Sequence, residues 1–221
     1  MNPENTNGWV RTQQDGAVLT VTLDRPDQLN AQTPATWSAL AAVGASLDDD
    51  VRVVVVRGEG RAFSAGLDRS MFDLSRSGTL ADIVKVPAEE AQERIRGYQA
   101  GFRWLRSPGI VSVAAVQGHA IGAGAQLALA CDLRVFTDDA QIRLPEATLG
   151  LVPDLTGTST LVELVGYSRA LEICLTGRPD GGQCRPRHGC LRVELVRPVE
   201  RDDQDVAVLT RADPAVVLEV S

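Results

Sequence analysis

Residues 116–135 read VQGHAIGAGAQLALACDLRV, and this stretch carries the clearest chemical signal in the chain. The apolar run 110–116 has strand character, Gly118, Gly122 and Gly124 supply a corner without bulky side chains, and 125–131 is rich in helix formers. The first N–H groups of a helix have no partner inside it, and the helix dipole adds partial positive charge there. With glycine on both sides, the N–H of Ala123 can be approached closely by a ligand oxygen. That suits stabilisation of an oxyanion. The competing interpretation is that these glycines simply let a helix pack tightly on a sheet. A second strand-to-glycine corner, GEGRAFSAGLD (58–68), has the same character. Other glycine chemistries fit less well: GxGxxG fails at Leu127, and the chain holds neither GxSxG nor a P-loop GxxxxGK[ST].

These corners need strands and helices to aim them. Ala17, Leu19, Val21 and Leu23 alternate as a half-buried strand should, with Asp15-Gly16 as the turn before them. Thr33 and Pro34 mark an N-cap and first helical position, and Trp37, Leu40, Gly44 and Leu47 lie on one face of the helix that follows. The β-branched run 53–56 suits a strand buried on both faces. Ile95, Tyr98, Phe102 and Leu105 put an apolar stripe on a helix over about 88–106, closed by Ser107-Pro108. Short strands are expected at 133–136 and 141–144, then helices at 155–165 and 168–175, the latter capped by Ser168 and stopped by Gly177. The alternation reads as a coil of βββα type rather than an open doubly wound sheet.

Composition narrows the classes. With 221 residues, 44% of them hydrophobic, the chain can bury one good-sized core. A net charge of −7 argues against a nucleic-acid partner. The start, MNPENTNGW, lacks a signal pattern and no apolar run reaches membrane-spanning length, so a cytoplasmic protein without membrane contact is expected. The four cysteines show no CxxC spacing, and Cys184, His188 and Cys190 lack a fourth ligand at zinc spacing, so no metal site is expected.

Over about residues 9–178 the chain resembles the crotonase, or enoyl-CoA hydratase/isomerase, superfamily. The resemblance rests on LDRPDQLNA (23–31), VRVVVVRGEGRAFSAGLD (51–68), AAVQGHAIGAGAQLALACDLRV (114–135), LPEATLGLVPD (144–154) and LTGR (175–178), in that order. It implies an α/β fold, a spiral of repeated ββα turns, that binds acyl-CoA thioesters with no cofactor other than the coenzyme A of the substrate. It also implies a homotrimer or hexamer. By the same resemblance the backbone N–H groups of Leu67 and Ala123 hold the thioester oxygen, with Ala65, Gly66, Asp68 and Gly122 around them. The loop carrying Asp27, Gln28, Leu29 and Ala31 meets the adenine end of coenzyme A, and Pro145 and Leu149 line the acyl site. Asp27 stands where the family often has lysine, and a carboxylate there repels phosphate.

The carboxylates separate the chemistries that the resemblance allows. Family hydratases place two glutamates over the enoyl group; here the first position is Gln126 and the second is Glu146. Glutamine exchanges no proton at neutral pH, so two-carboxylate hydration is disfavoured. One carboxylate suffices to shuttle a proton between two carbons, as in the family's 3,2-enoyl-CoA isomerases. Asp154 matches the catalytic aspartate of dienoyl-CoA isomerases; its alternative is an N-cap for the helix near 155. Leu149 and Leu151 are expected to form an apolar wall that raises the Glu146 pKa. His119 is given a structural or substrate-facing role, and Asp68 a turn-closing one.

Three segments are expected: a disordered 1–8, the crotonase-like core 9–178, and an atypical tail 179–221. Past Gly177 the sequence is crowded with arginine, proline, glycine and cysteine and shows no helical stripe, which reads either as a truncated or frame-altered C-terminal part or as a genuinely diverged one. VELV (193–196) is a remnant strand in that reading. The leading expectation is an enoyl-CoA hydratase/isomerase with isomerase-type chemistry. The alternatives are an acyl-CoA-binding protein without activity and an inactive paralogue.

Overall fold

The opening hairpin sets the frame. The structure, a computed structural model, describes residues 8–73, 75, 79, 81–178, 180–181, 207–209 and 217–219. Strands β1 (Val10–Asp15) and β2 (Val18–Leu23) pair antiparallel from Val10↔Leu23 to Asp15↔Val18. Gly16, at φ +54°, makes the tight turn between them. Leu19, Val21 and Leu23 are buried, as their alternation predicts. Gly8 packs against the backbone at Ala35, since a Cβ there would lie 2.4 Å from the Ala35 carbonyl oxygen.

After the hairpin the chain repeats one move. Helix α1 (Pro34–Ala45) starts after Thr33, whose N–H donates to Thr36 Oγ1 at 3.2 Å, and carries Pro34 at its first position. Strand β3 (Val53–Gly58) leads through the glycine corner to α2 (Ala81–Val84) and α3 (Ala88–Arg103). Strands β4 (Val111–Val116) and β5 (His119–Ile121) lead to α4 (Ala123–Ala130). Strands β6 (Leu133–Phe136) and β7 (Gln141–Arg143) lead to α5 (Gly157–Val165) and α6 (Tyr167–Thr176).

The first sheet has the order β1-β2-β3-β4-β6, parallel from β2 onward. A second sheet has the order β5-β7-β8, with β8 (Asp180–Gly181) antiparallel to β7. In the earlier passages the second layer shrinks to isolated bridges, Gln32↔Leu67 and Ser64↔Ala120. Each passage thus gives one strand to the first sheet, one short extended piece to the second layer, then a helix. The result is a spiral of ββα turns, not the βββα repeat that periodicity suggested. The extra strand, β1, belongs to the hairpin alone. Strands β9 (Ala207–Leu209) and β10 (Val217–Glu219) pair with each other.

Val21, Leu40, Val54, Val56, Phe63, Phe102, Leu105 and Leu127 form the middle of the core. All of α4 is buried, which explains its run of alanine and leucine without a polar face. Several boundaries differ from expectation for local reasons. Gly122, at φ +52°, turns the chain so that α4 begins at Ala123 rather than 125. The stripe-bearing helix tightens to a 3-10 turn over Trp104–Arg106. Gly166, not Ser168, precedes α6, while Gly177 ends it in the left-handed region as expected. No helix among the described residues is long and apolar enough to cross a membrane. The expectations for residues 1–7, for Cys184, His188 and Cys190, and for 193–196 fall outside the described residues.

Candidate active site

The two glycine corners meet. A Cβ on Gly66, whose φ is +89°, would lie 2.4 Å from the Ile121 carbonyl oxygen and 3.5 Å from the Ala123 nitrogen. A Cβ on Gly124 would lie 2.6 Å from the Ser64 carbonyl oxygen. Only glycine permits this approach of backbone to backbone. The strands are stitched beneath by Ser64 N–H to His119 O (2.9 Å) and Ile121 N–H to Ser64 O (3.0 Å). Leu67 and Ala123 therefore come from neighbouring turns, and neither backbone N–H has an acceptor among the described residues.

A buried polar network fixes the first corner. The Gln32 N–H donates to Gly66 O (2.7 Å) and the Asp68 N–H to Gln32 O (2.8 Å), leaving the N–H of Leu67 between them unused. Ser64 Oγ accepts from Gln32 Nε2 and the Gly66 N–H and donates to Asn30 O, and Trp37 Nε1 donates to Gln32 Oε1. Asp68 accepts from Arg25 Nη1 at 2.5 Å and from the Ser70 N–H at 2.8 Å, so it closes the turn as anticipated. Burial alone would raise its carboxyl, but Ser70 and Arg25 together hold it below the ordinary range.

The coenzyme-A loop of the sequence reading sits beside this corner. Asp27 and Gln28 are exposed on a 3-10 turn, Pro26–Gln28. Leu29 and Asn30 both adopt left-handed backbone (φ +50° and +55°). Asn30 is held there by its amide, which donates to Glu59 O and Ala62 O and accepts from the Arg25 N–H. The Ala65 N–H donates to Leu29 O at 2.8 Å, and Ala31 O accepts from Arg25. Loop 25–31 and corner 64–68 are thus one connected unit.

On the other side, Pro145 leads into a 3-10 turn, Glu146–Leu149. Glu146 is 7% exposed, and its Oε1 would lie 3.4 Å from a Cβ on Gly122, one residue before Ala123. Gln126 Nε2 donates to Glu146 Oε1 at 2.9 Å, while Glu146 Oε2 is buried with no hydrogen-bond partner. Burial raises the Glu146 pKa; its own backbone N–H and Gln126 oppose this, and the charge of Asp154 adds to it. Of the expected leucine wall, Leu149 is not part. Leu149 is exposed, at the surface end of the 3-10 turn, and Leu151 is half-buried.

Asp154 is not an N-cap. The residue before α5 is Thr156, and no side chain caps that helix. Asp154 is exposed, yet its carboxyl is crowded enough for burial to push its pKa upward, against its own backbone N–H. His119 is exposed on β5.

Sequence reasoning missed the supports: Arg25, Asn30, Gln32 and Ser64 under the first corner, and the double role of Gln126. Its Oε1 accepts from the N–H groups of Leu155 (2.8 Å) and Gly157 (3.2 Å), about thirty residues on. Such pairings have no local signature. The asparagine at position 30 was the one available hint, because asparagine tolerates left-handed backbone.

This arrangement provides two unused backbone donors beside one buried carboxylate, a layout suited to holding an enolate while a proton is moved. Known proteins resemble the chain in sequence and fold. Residues 13–201 match the family model described as Enoyl-CoA hydratase/isomerase. The chain is 32% identical over 174 residues to a Bacillus subtilis (strain 168) protein named as a probable enoyl-CoA hydratase, covering 79% of this chain and 62% of that one. It is 30% identical to the peroxisomal Delta(3,5)-Delta(2,4)-dienoyl-CoA isomerase of Arabidopsis thaliana, covering 78% and 63%. A Thermobifida fusca YX protein of the enoyl-CoA hydratase type, crystallised with acetoacetyl-CoA, is 48% identical with a TM-score of 0.73, covering 78% of this chain and 68% of that one. The chain thus spans about 62% of the length of such curated relatives. With its spiral fold and matching blocks, the chain belongs to the enoyl-CoA hydratase/isomerase family.

Proposed function

We propose that the protein binds acyl-CoA thioesters and isomerises a bound enoyl group in preference to hydrating it. The observation that carries this is the Gln126–Glu146 hydrogen bond: one carboxylate lies beside the corner, and its neighbour is an amide that cannot exchange a proton. In this reading the thioester oxygen lies on the N–H groups of Leu67 and Ala123. Glu146 takes a proton from the carbon alpha to the thioester, and the electron pair of that C–H bond passes to the held oxygen as a dienolate. The double bond shifts as Glu146 returns the proton further along the chain, and no other reactant is consumed. The coenzyme A and acetoacetyl-CoA complexes of the Thermobifida fusca YX protein support the substrate class. No cofactor beyond the substrate's own coenzyme A is required. The test is turnover of 3-enoyl against 2-enoyl thioesters; hydration of the 2-enoyl substrate faster than isomerisation of the 3-enoyl one would refute the reading.

A second reading, dienoyl-CoA isomerisation with Asp154 as a further acid, is favoured by the Asp154 carboxylate, which caps no helix and lies close enough to raise Glu146. A 3,5-dienoyl thioester tests it directly. We also propose a trimeric or hexameric assembly in the cytoplasm. Support for assembly comes from Val152, Tyr167 and Leu175, which are 65–69% exposed near one another in sequence around α5 and α6. Sedimentation at several concentrations measures the assembly.

A further inference from the structure

We propose that Gln126 is a positioning residue: its amide fills an anion nest in the backbone of Leu155–Gly157 and so keeps Glu146 a single, unpaired proton carrier. The nest is visible in the geometry. Two N–H groups two residues apart, those of Leu155 and Gly157, converge on Gln126 Oε1 at 2.8 and 3.2 Å. Thr156 between them adopts left-handed backbone, φ +74° and ψ −6°, which is unusual and strained for a β-branched residue. Successive N–H groups turned to one point by such a residue form a concavity that suits an anion. Here the occupant is a neutral amide oxygen.

That occupancy orients the whole side chain. Because two backbone donors fix the oxygen, the amide nitrogen must face Glu146, and the choice of amide orientation is not arbitrary. The contact is tight as well as polar. A Cβ on Gly157 would lie 2.7 Å from Gln126 Cγ and 2.8 Å from Oε1, so residue 157 has no room for a side chain while Gln126 is in place. The same amide therefore joins Glu146 to the turn that follows Asp154.

A carboxylate at 126 would behave differently. The nest would favour its anionic form, and its second oxygen would stand where Nε2 now lies, 2.9 Å from Glu146 Oε1. Two carboxylates at that distance hold one proton between them. Among the described residues, the other titratable groups facing Glu146 are Asp154, from the turn before α5, and the Cys174 thiol, from α6. Both are acids, so neither offsets the added charge.

The inference rests on Glu146 as proton carrier only in its second measurement. The first is amide hydrogen exchange of the ligand-free protein, followed by NMR. Leu155 and Gly157 should be protected in the parent and in Gln126→Glu, and exchange at least about tenfold faster in Gln126→Ala. Unchanged protection in Gln126→Ala overturns the nest. The second is exchange of the alpha protons of a saturated acyl-CoA in D₂O across pH. In Gln126→Glu the rising limb should move to higher pH by about one unit or more, a roughly tenfold lower rate below it. A limb in the parent position overturns the positioning role, since a purely structural glutamine would tolerate this near-isosteric change. If the parent exchanges no alpha protons at any pH, the proposed isomerisation fails, and the amide measurement still decides the nest.

Discussion

The carboxylate of Glu146 rests against Gly122, whose added Cβ would lie 3.4 Å from Oε1. Gly122 immediately precedes Ala123, so the buried acid and the unused N–H at the start of α4 belong to one small site although 23 positions separate them in the chain.

Glu146→Gln should remove isomerisation and alpha-proton exchange, a loss of about 10²–10⁴. Affinity for acyl-CoA should stay within a few-fold, because the proposed binding uses the backbone corners and not this carboxylate. The same variant should be more heat-stable at neutral pH. Glu146 has a raised pKa in the folded state, so its charged form opposes folding above that pKa. The gain should vanish as pH falls below the ordinary carboxylate value, where both states are protonated. Thermal melts at pH 7 and pH 4 measure this.

Leu67→Pro deletes one backbone donor that the Gln32↔Leu67 bridge does not use. Removing one oxyanion donor should cost about 10²–10³ in turnover. Circular dichroism of the same sample checks that the corner still folds. Parent-rate turnover in folded protein would remove Leu67 from the proposed role.

Asp154→Asn should not destabilise the fold, since the side chain caps no helix, and at neutral pH should stabilise it slightly, because its raised pKa makes the charged form oppose folding. It should also shift the rising limb of the pH–rate profile to lower pH, because the charge of Asp154 helps raise Glu146. A loss of turnover beyond about a hundredfold would instead assign Asp154 the second acid of dienoyl isomerisation.

Arg25→Ala should destabilise the fold by about 3–5 kcal/mol, the cost of leaving a mostly buried partner charge alone. The lowered pKa of Asp68 gives the sign with pH: its contribution is present above the ordinary aspartate value and disappears as pH falls through the lowered one. Urea unfolding at pH 7 and pH 3 tests both statements.

Three patterns were legible from residue types alone. Alternation in 17–23, the valine run at 53–56 and the glycine corners at 66 and 122–124 are local patterns, and they identify strands, helices and two anion-suited turns. The motif blocks added the family and the position of Glu146. Tertiary structure decided the rest, because it depends on groups far apart in sequence. That Gly66 lies on Ile121 follows from two turns of the spiral stacking. That Arg25 holds Asp68 follows from loop 25–31 closing on the first corner. Gln126 is the clearest case. The sequence established what it cannot do, exchange a proton at neutral pH, since that is a property of the amide. What it does, bridging Glu146 to the backbone of Leu155 and Gly157, depends on the start of α4 packing beside the turn before α5. The side-chain type fixed the available donors and acceptors, and packing alone chose their partners.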